Sequence, residues 1–165
     1  MAIKDAEIMV LMDKIREHYH NNINNRYIRK ALLIMDISRT TWENLESLTG
    51  KGDLYHTQGY NFDELYEWVA SALTFIHHAR TEVAPNLKSI ISSGSTTVLG
   101  KSVREREEDK ILREMAIKTF PENLKMFAEL VKELYNRVVE LDKISNPVKP
   151  YYKKYPEIIE LIKAL

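Results

Sequence analysis

Apolar residues recur every three or four positions across the later part of the chain. The members of this stripe are Leu124, Phe127, Val131, Leu134, Val138 and Leu141. A helix turns once in about 3.6 residues, so this spacing places all of these side chains on one face of a rod. An apolar face of that length must be buried against other elements, and it therefore predicts a helical protein. Proline is tolerated in the first turn of a helix, and we expect this helix to restart at Pro121.

Shorter stretches of the same period predict further helices. The predicted segments run from Lys4 to Tyr19, from Arg26 to the glycines after Thr49, from Asn61 to Thr81, over a few residues after Pro85, and onward from Ser102. Some of these starts carry the pattern of a capping box, in which the first residue and the residue three positions later bond each other's backbone. The pairs are Asn61 with Glu64 and Ser102 with Glu105.

The helix after Ser102 begins with a run of charged residues, which we expect to project into water. Its later residues are expected to pack on the bundle. These are Ile111, Leu112, Met115 and Ala116. On the helix that follows, oppositely charged residues lie four positions apart, a spacing that favours ion pairs on the outer faces. The pairs are Lys125 with Glu129 and Glu133 with Arg137.

The last residues differ from the rest because prolines interrupt the helical period. Pro147 and Pro150 exclude a regular helix, and the segment from Pro150 to Pro156 is expected to be extended with polyproline character. Pro156 then opens a helix that is too short to be stable unless it docks. The sequence thus predicts an all-α, single-domain bundle of about five to six helices over residues 1–146. Residues 147–165 form a Pro/Tyr/Lys-rich tether and a short C-terminal helix, docked on the bundle or on a partner.

Composition excludes several classes of function. The 165 residues include 24 Lys and Arg against 24 Asp and Glu, so no net charge attracts the chain to nucleic acid or anionic lipid. Cysteine is absent, which excludes disulfides, thiolate metal ligands and cysteine nucleophiles. The charged, amphipathic amino terminus lacks the apolar run of a signal peptide or a membrane helix. We therefore expect a cytoplasmic protein that does not bind membranes.

Residues 95–102 partly resemble a phosphate-binding loop, because they end in Gly100-Lys101-Ser102 before a predicted helix. The phosphate loop also needs a glycine five residues before its second glycine, and Ser95 stands there, while Gly94 lies one position too early. That glycine allows the backbone to curve around one phosphate. A mobile connection followed by a capped helix is therefore favoured over nucleotide binding.

The histidines are His18, His20, His56, His77 and His78. Metal sites in bundles use Glu-x-x-His, because residues three apart project together. Glu17 and His20 have this spacing, and Asp53 and His56 have a looser form of it, but acidic residues are frequent enough to give such matches by chance. The sequence therefore predicts no metal site and no cofactor.

Basic residues form local clusters, some of them beside tyrosines, and such clusters can clamp phosphates and stack on bases. The candidate nucleic-acid contacts are Arg26, Arg29, Lys30, Arg104, Arg106, Lys153 and Lys154. Acidic neighbours such as Glu105 and Asp109 cancel the middle cluster. Nucleic-acid binding is therefore the alternative interpretation rather than the leading one.

The leading hypothesis is a non-enzymatic helical interaction protein, an adaptor or a small subunit of a larger assembly, that binds a protein partner or a second copy of itself. The tail supplies the candidate partner-binding residues, which are Tyr151, Tyr152, Tyr155, Ile158, Ile162 and Leu165. A metal- or nucleotide-binding bundle enzyme is the second alternative. No residue pattern nominates a catalytic group.

Overall fold

A computed structural model describes residues 3–49, 59–92, 97–98, 101–102 and 106–165. The α-helices are α1 (Ala6–Ile23), α2 (Arg26–Ile34), α3 (Arg39–Thr49), α4 (Phe62–His78), α5 (Leu87–Ser92), α6 (Glu107–Ser145) and α7 (Glu157–Lys163). A π-helical turn (Ala79–Val83) and a 3-10 turn (Ala84–Asn86) join α4 to α5. The two-residue strands β1 (Thr97–Val98) and β2 (Lys101–Ser102) pair antiparallel. The predicted all-α bundle is confirmed.

Helices α1 and α6 lie side by side and run in opposite directions. At the beginning of α1, Arg137 Nη2 donates to Asp5 Oδ2 over 2.7 Å. At the other end, Asn25 Nδ2 donates to the carbonyl oxygen of Leu112 over 2.8 Å. The Arg137 hydrogen bond lowers the pKa of Asp5, whose carboxylate also caps α1 by accepting from the N–H groups of Glu7 and Ile8. Contacts to both ends of α1 therefore fix its direction along α6.

Helix α4 lies at the centre of the bundle and packs against α3, α6 and α7. Its start is the predicted capping box, because Asn61 Oδ1 accepts from the N–H of Glu64 and the Glu64 carboxylate accepts from the N–H of Asn61. The largest side chains of the core are fully buried on α1, α4 and α6. They are Trp68, Tyr19, Tyr66, Phe75, Phe120 and Phe127.

The single helix predicted from Arg26 to Thr49 is wrong, because it is divided into α2 and α3. Asp36 has a φ of 51° and so takes the left-handed conformation that ends many helices. The N–H of Ile37 bonds the Leu32 oxygen and the N–H of Asp36 bonds the Leu33 oxygen, which is the Schellman pattern. Ile37 and Leu32 are both buried beside this turn. Gly50 and Gly52, the predicted stop, lie outside the described residues.

Helix α6 contradicts the prediction that a helix restarts at Pro121, because it passes through this proline without interruption. The buried residues Ala116, Phe120 and Leu124 continue one face across the proline. The capping box predicted at Ser102 is also wrong. Ser102 belongs to β2 and the helix begins at Glu107. The acidic residues of its first turn stabilise this helix start, because they lie at the positive end of the helix dipole.

The tail is not the extended tether that its prolines predict, because Tyr151–Lys154 forms a 3-10 turn. The N–H groups of Tyr151 and Tyr152 both donate to the buried carboxylate of Asp142, over 3.0 and 2.8 Å. Two successive N–H groups can point at one carboxylate only if the backbone curves around it. The acceptor near the end of α6 therefore determines the shape of the tail.

Candidate functional site: an apolar stripe at the start of helix α6

The start of α6 exposes apolar side chains that the sequence predicts to be packed. Ile111 is 50% exposed, Met115 is 52% exposed and Leu112 is 37% exposed. Of the predicted group only Ala116 is buried. The reason is that Ala116 shares the inner face of α6 with Phe120, whereas Ile111 and Met115 point to the opposite side, which no described element covers.

The exposed residues continue a regular spacing. Glu108, Ile111, Met115 and Lys118 are separated by three, four and three residues, and all of them are exposed. We call this set the α6 stripe. Apolar side chains occupy its centre, and a carboxylate and an ammonium group stand at its two ends. Within the described residues neither Glu108 nor Lys118 has an oppositely charged group at ion-pairing distance.

The α6 stripe stands on a helix start that is anchored to the bundle. Arg26, at the beginning of α2, forms an ion pair with Asp109, and Asn25 bonds the Leu112 carbonyl from the same turn. Hydrogen bonds to the Tyr27 hydroxyl and to Asp109 raise the pKa of Arg26. These contacts lie on the side of α6 that faces α2. The stripe is thus presented on a fixed helix and its own side chains stay free for contact.

The predicted partner-binding residues of the tail contact their own bundle. The Tyr151 ring stacks on Phe62 with 5.5 Å between centroids, and the Tyr155 hydroxyl donates to Asp63 Oδ1 over 2.6 Å. Ile158 is fully buried. Tyr152, Ile162 and Leu165 are half-buried against the core. These side chains are engaged within the chain, so the α6 stripe is the more accessible candidate for a partner.

The predicted nucleic-acid residues separate into two groups. Arg26, Arg29 and Lys30 lie on α2, beside the exposed Arg106 at the start of α6, while Lys153 and Lys154 lie in the turn bound by Asp142. From Asp109 to Asp142 the helix extends about 50 Å. Lys154 is already paired, with its Nζ 3.7 Å from Asp63 Oδ1. The described residues therefore form no continuous basic surface, and Arg104 lies outside them.

The structure also locates some of the candidate metal ligands and some of the residues that resemble a phosphate-binding loop. Within the described ranges no three His, Asp or Glu side chains converge as metal ligands, and Asp53 and His56 lie outside those ranges. Lys101 and Ser102 are in β2, and the helix begins only at Glu107, so a helix start does not directly follow the glycine-lysine-serine run. Gly94, Ser95 and Gly100 are not described. None of the described helices is both long and apolar enough to cross a bilayer.

No protein-family model matches this chain, and neither a curated protein nor a solved structure matches it. Its function is therefore inferred from its own side chains.

Proposed function

We propose that the chain is a non-enzymatic helical interaction protein, a small subunit that assembles with a second copy of itself through the α6 stripe. The observation that carries this proposal is the exposure of Ile111 and Met115 on an anchored helix start. Burying these side chains against a second copy removes apolar area from water, which favours association. Little conformational freedom is lost because the helix is already formed and held.

The spacing of the α6 stripe fits an antiparallel pair of helices. Side chains that alternate at three and four residues meet in layers across such a pair. If a two-fold axis passes α6 at the level of Arg113, Ile111 lies opposite Met115 of the second copy. The same axis places Glu108 opposite Lys118 of the second copy. Because the interface is isologous, each of these contacts occurs twice.

Charge complementarity favours a second copy over an unrelated helix. The antiparallel pairing joins Glu108 to Lys118, and neither of these residues has another partner within the described part of the chain. One segment therefore supplies both halves of the pair. A parallel pairing would instead place Glu108 beside Glu108 and Lys118 beside Lys118, which like-charge repulsion disfavours.

The first test is a double substitution in the centre of the stripe. Sedimentation velocity over a concentration series should show that the natural chain passes from monomer to dimer. Ile111→Glu with Met115→Glu should remain a monomer at every concentration, with an unchanged circular dichroism spectrum. Ile144→Glu is the matched control, because Ile144 is 77% exposed on the same helix but far from the stripe. A natural chain that stays monomeric, or an equal loss of dimer in the control, would overturn the proposal.

The second test reverses the charges at the ends of the stripe. Glu108→Lys alone and Lys118→Glu alone should each weaken the dimer, because each places two like charges opposite one another. The variant with both changes should recover the dimer, since the pair is restored with its signs exchanged. Failure of the double variant to recover would contradict the antiparallel register. Binding of an unrelated helix would not be restored in this way.

A further inference from the structure

A cleft of about 330 Å³ opens beside the middle of α6, between this helix, the π-helical turn after α4 and the end of the chain. The buried side chains of Ile76 and Leu124 form part of its floor, and Ala128 and Leu165 add to its walls. This volume is at the lower end of the range of about 300–1,000 Å³ that is typical of small-molecule sites.

Prolines explain why the helices leave space here. Pro85 has no N–H, and its ring would clash with the carbonyl group of Thr81 in a continuing α-helix. The chain widens instead into a π-helical turn, in which the N–H of Ala84 bonds the oxygen of Ala79. Across the cleft, Pro121 stands inside α6 and its ring lines the wall. π-Helical turns occur frequently at functional sites.

The rim of the cleft is cationic. Arg80 comes from the π-helical turn, and Lys125 and Lys132 lie two turns apart on α6. All three are exposed, and within the described residues none has a carboxylate at ion-pairing distance. The predicted pair of Lys125 with Glu129 is not formed, although Glu129 also lines the cleft. Three cationic side chains against one acidic side chain leave an excess of positive side-chain charge around an apolar floor.

We propose that this cleft binds a small amphipathic anion, in which a short hydrocarbon group carries one carboxylate or phosphate. The hydrocarbon group would lie on Ile76 and Leu124, where burial from water stabilises it. The anionic head would lie at the rim, where Arg80, Lys125 and Lys132 donate charge-assisted hydrogen bonds. This site is separate from the α6 stripe because Lys125 lies two turns, about 10 Å, further along the helix than Lys118, the last residue of the stripe.

Calorimetric titration with a matched set of probes tests the ligand class. Octanoate and octyl phosphate should bind, whereas acetate lacks the hydrocarbon group and octylamine carries the opposite charge, so neither should bind measurably. Comparison of octanoate with octyl phosphate identifies the preferred head group. Equal binding of octanoate and octylamine would overturn the proposal, as would no binding of either anion.

Substitutions at the rim test the site. Changing Arg80, Lys125 and Lys132 together to Gln should weaken octanoate binding by about tenfold or more, because charge-assisted hydrogen bonds are lost. The matched control changes Arg29, Lys30 and Lys153 to Gln. These substitutions alter the net charge by the same amount, but the three residues lie outside the cleft. Glu129→Gln should strengthen binding by removing repulsion. Equal weakening by the control triple, or weaker binding in Glu129→Gln, would place the ligand outside this cleft.

Discussion

Both ends of helix α6 carry exposed apolar side chains, but the tail covers one side of the carboxyl end, whereas Ile144 on another side remains 77% exposed. At the carboxyl end the tail folds back, and its Ile158 is completely buried against the bundle. At the amino end Ile111 and Met115 remain about half exposed, because they point away from the inner face of α6 and no described element covers them. The difference shows that exposure along one helix is decided by which of its sides a neighbouring element covers. The number of apolar residues in the helix does not determine how exposed they are.

A single carboxylate joins the tail to the covered end. Asp142 is fully buried and accepts from the Tyr66 hydroxyl over 2.7 Å and from Asn146 Nδ2 over 3.0 Å, in addition to the two N–H groups of the tail. A buried carboxylate is tolerated when its oxygen atoms are satisfied by donors. At the amino end the polar contacts, Arg26 with Asp109 and Asn25 with the Leu112 oxygen, join α6 to the neighbouring α2 and leave Ile111 and Met115 exposed.

The largest expected effect follows from removing that carboxylate. Asp142→Ala leaves buried donors without an acceptor, and we expect the free energy of unfolding to fall by about 3–5 kcal/mol. Urea denaturation measures the loss, and hydrogen exchange should show faster exchange in residues 151–163 than in the start of α6. Tyr66→Phe removes one donor and should cost about 1.5–3 kcal/mol.

The matched control for Asp142→Ala is Glu133→Ala, a change of the same charge at an exposed position of the same helix. It should alter the free energy of unfolding by no more than about 0.5 kcal/mol. A loss in Asp142→Ala as small as that of the control would show that the tail is held by its apolar contacts alone.

The second prediction concerns Pro121, which separates the two halves of α6. Pro121→Ala supplies the missing N–H to the Ile117 carbonyl, and alanine favours the helix by up to about 3 kcal/mol over proline. We expect the free energy of unfolding to rise by about 1–3 kcal/mol, and octanoate binding to weaken because the ring lines the cleft. A decrease in stability would show that α6 bends at the proline and that its surroundings depend on the bend.

The third prediction uses the tyrosines that surround the covered end. Burial, with the hydrogen bond to Asp142, raises the pKa of Tyr66, and its ring lies 6.1 Å from that of Tyr135 and 5.4 Å from that of Tyr155. Above pH of about 10 the unfolded chain loses tyrosine protons that the folded chain keeps, so stability falls by up to about 1.4 kcal/mol per pH unit for each such tyrosine.

Tyr66, which contributes to this alkaline loss of stability, lies at the carboxyl end of α6 beside Asp142. Unfolding by urea at increasing pH measures the slope, and Tyr66→Phe should reduce it by the contribution of one tyrosine, although the variant is less stable at neutral pH. Burial also raises the pKa of Tyr19, so part of the slope should persist. An unchanged slope in Tyr66→Phe would mean that Tyr66 ionises equally well in the folded chain.

Features determined by neighbouring residues could be predicted from the sequence. The period of Phe127, Val131 and Leu134 predicts a buried face, and the Asn61–Glu64 capping box depends on atoms of a single turn. The end of α2 was missed because an aspartate, Asp36, holds the left-handed position that glycine usually marks. At Pro121 the buried face that continues from Phe120 to Leu124 outweighs the local preference of proline for a helix start.

Features determined by distant residues could not be predicted. The turn at Tyr151 and Tyr152 depends on an acceptor on another element, and proline content alone indicates an extended chain. Likewise, the sequence places Ile111 and Met115 among apolar residues but does not show that no described element lies over their side of α6. The sequence therefore does not predict the candidate site. One signal was present, because Ile111 and Ala116 are five residues apart and so cannot both point into the bundle.

The smallest expected effect completes the comparison of the two ends. Ile111→Ala and Met115→Ala, measured at concentrations where the chain is monomeric, should each change the free energy of unfolding by less than about 0.5 kcal/mol. The reason is that side chains half exposed in the folded monomer lose little contact when shortened, and alanine favours the helix. Val138→Ala, on the buried face of the same helix, should cost several times more, because it leaves a cavity. If Ile111→Ala destabilised the monomer as much as Val138→Ala, the start of α6 would be covered by the chain itself, and the α6 stripe would not be available to a second copy.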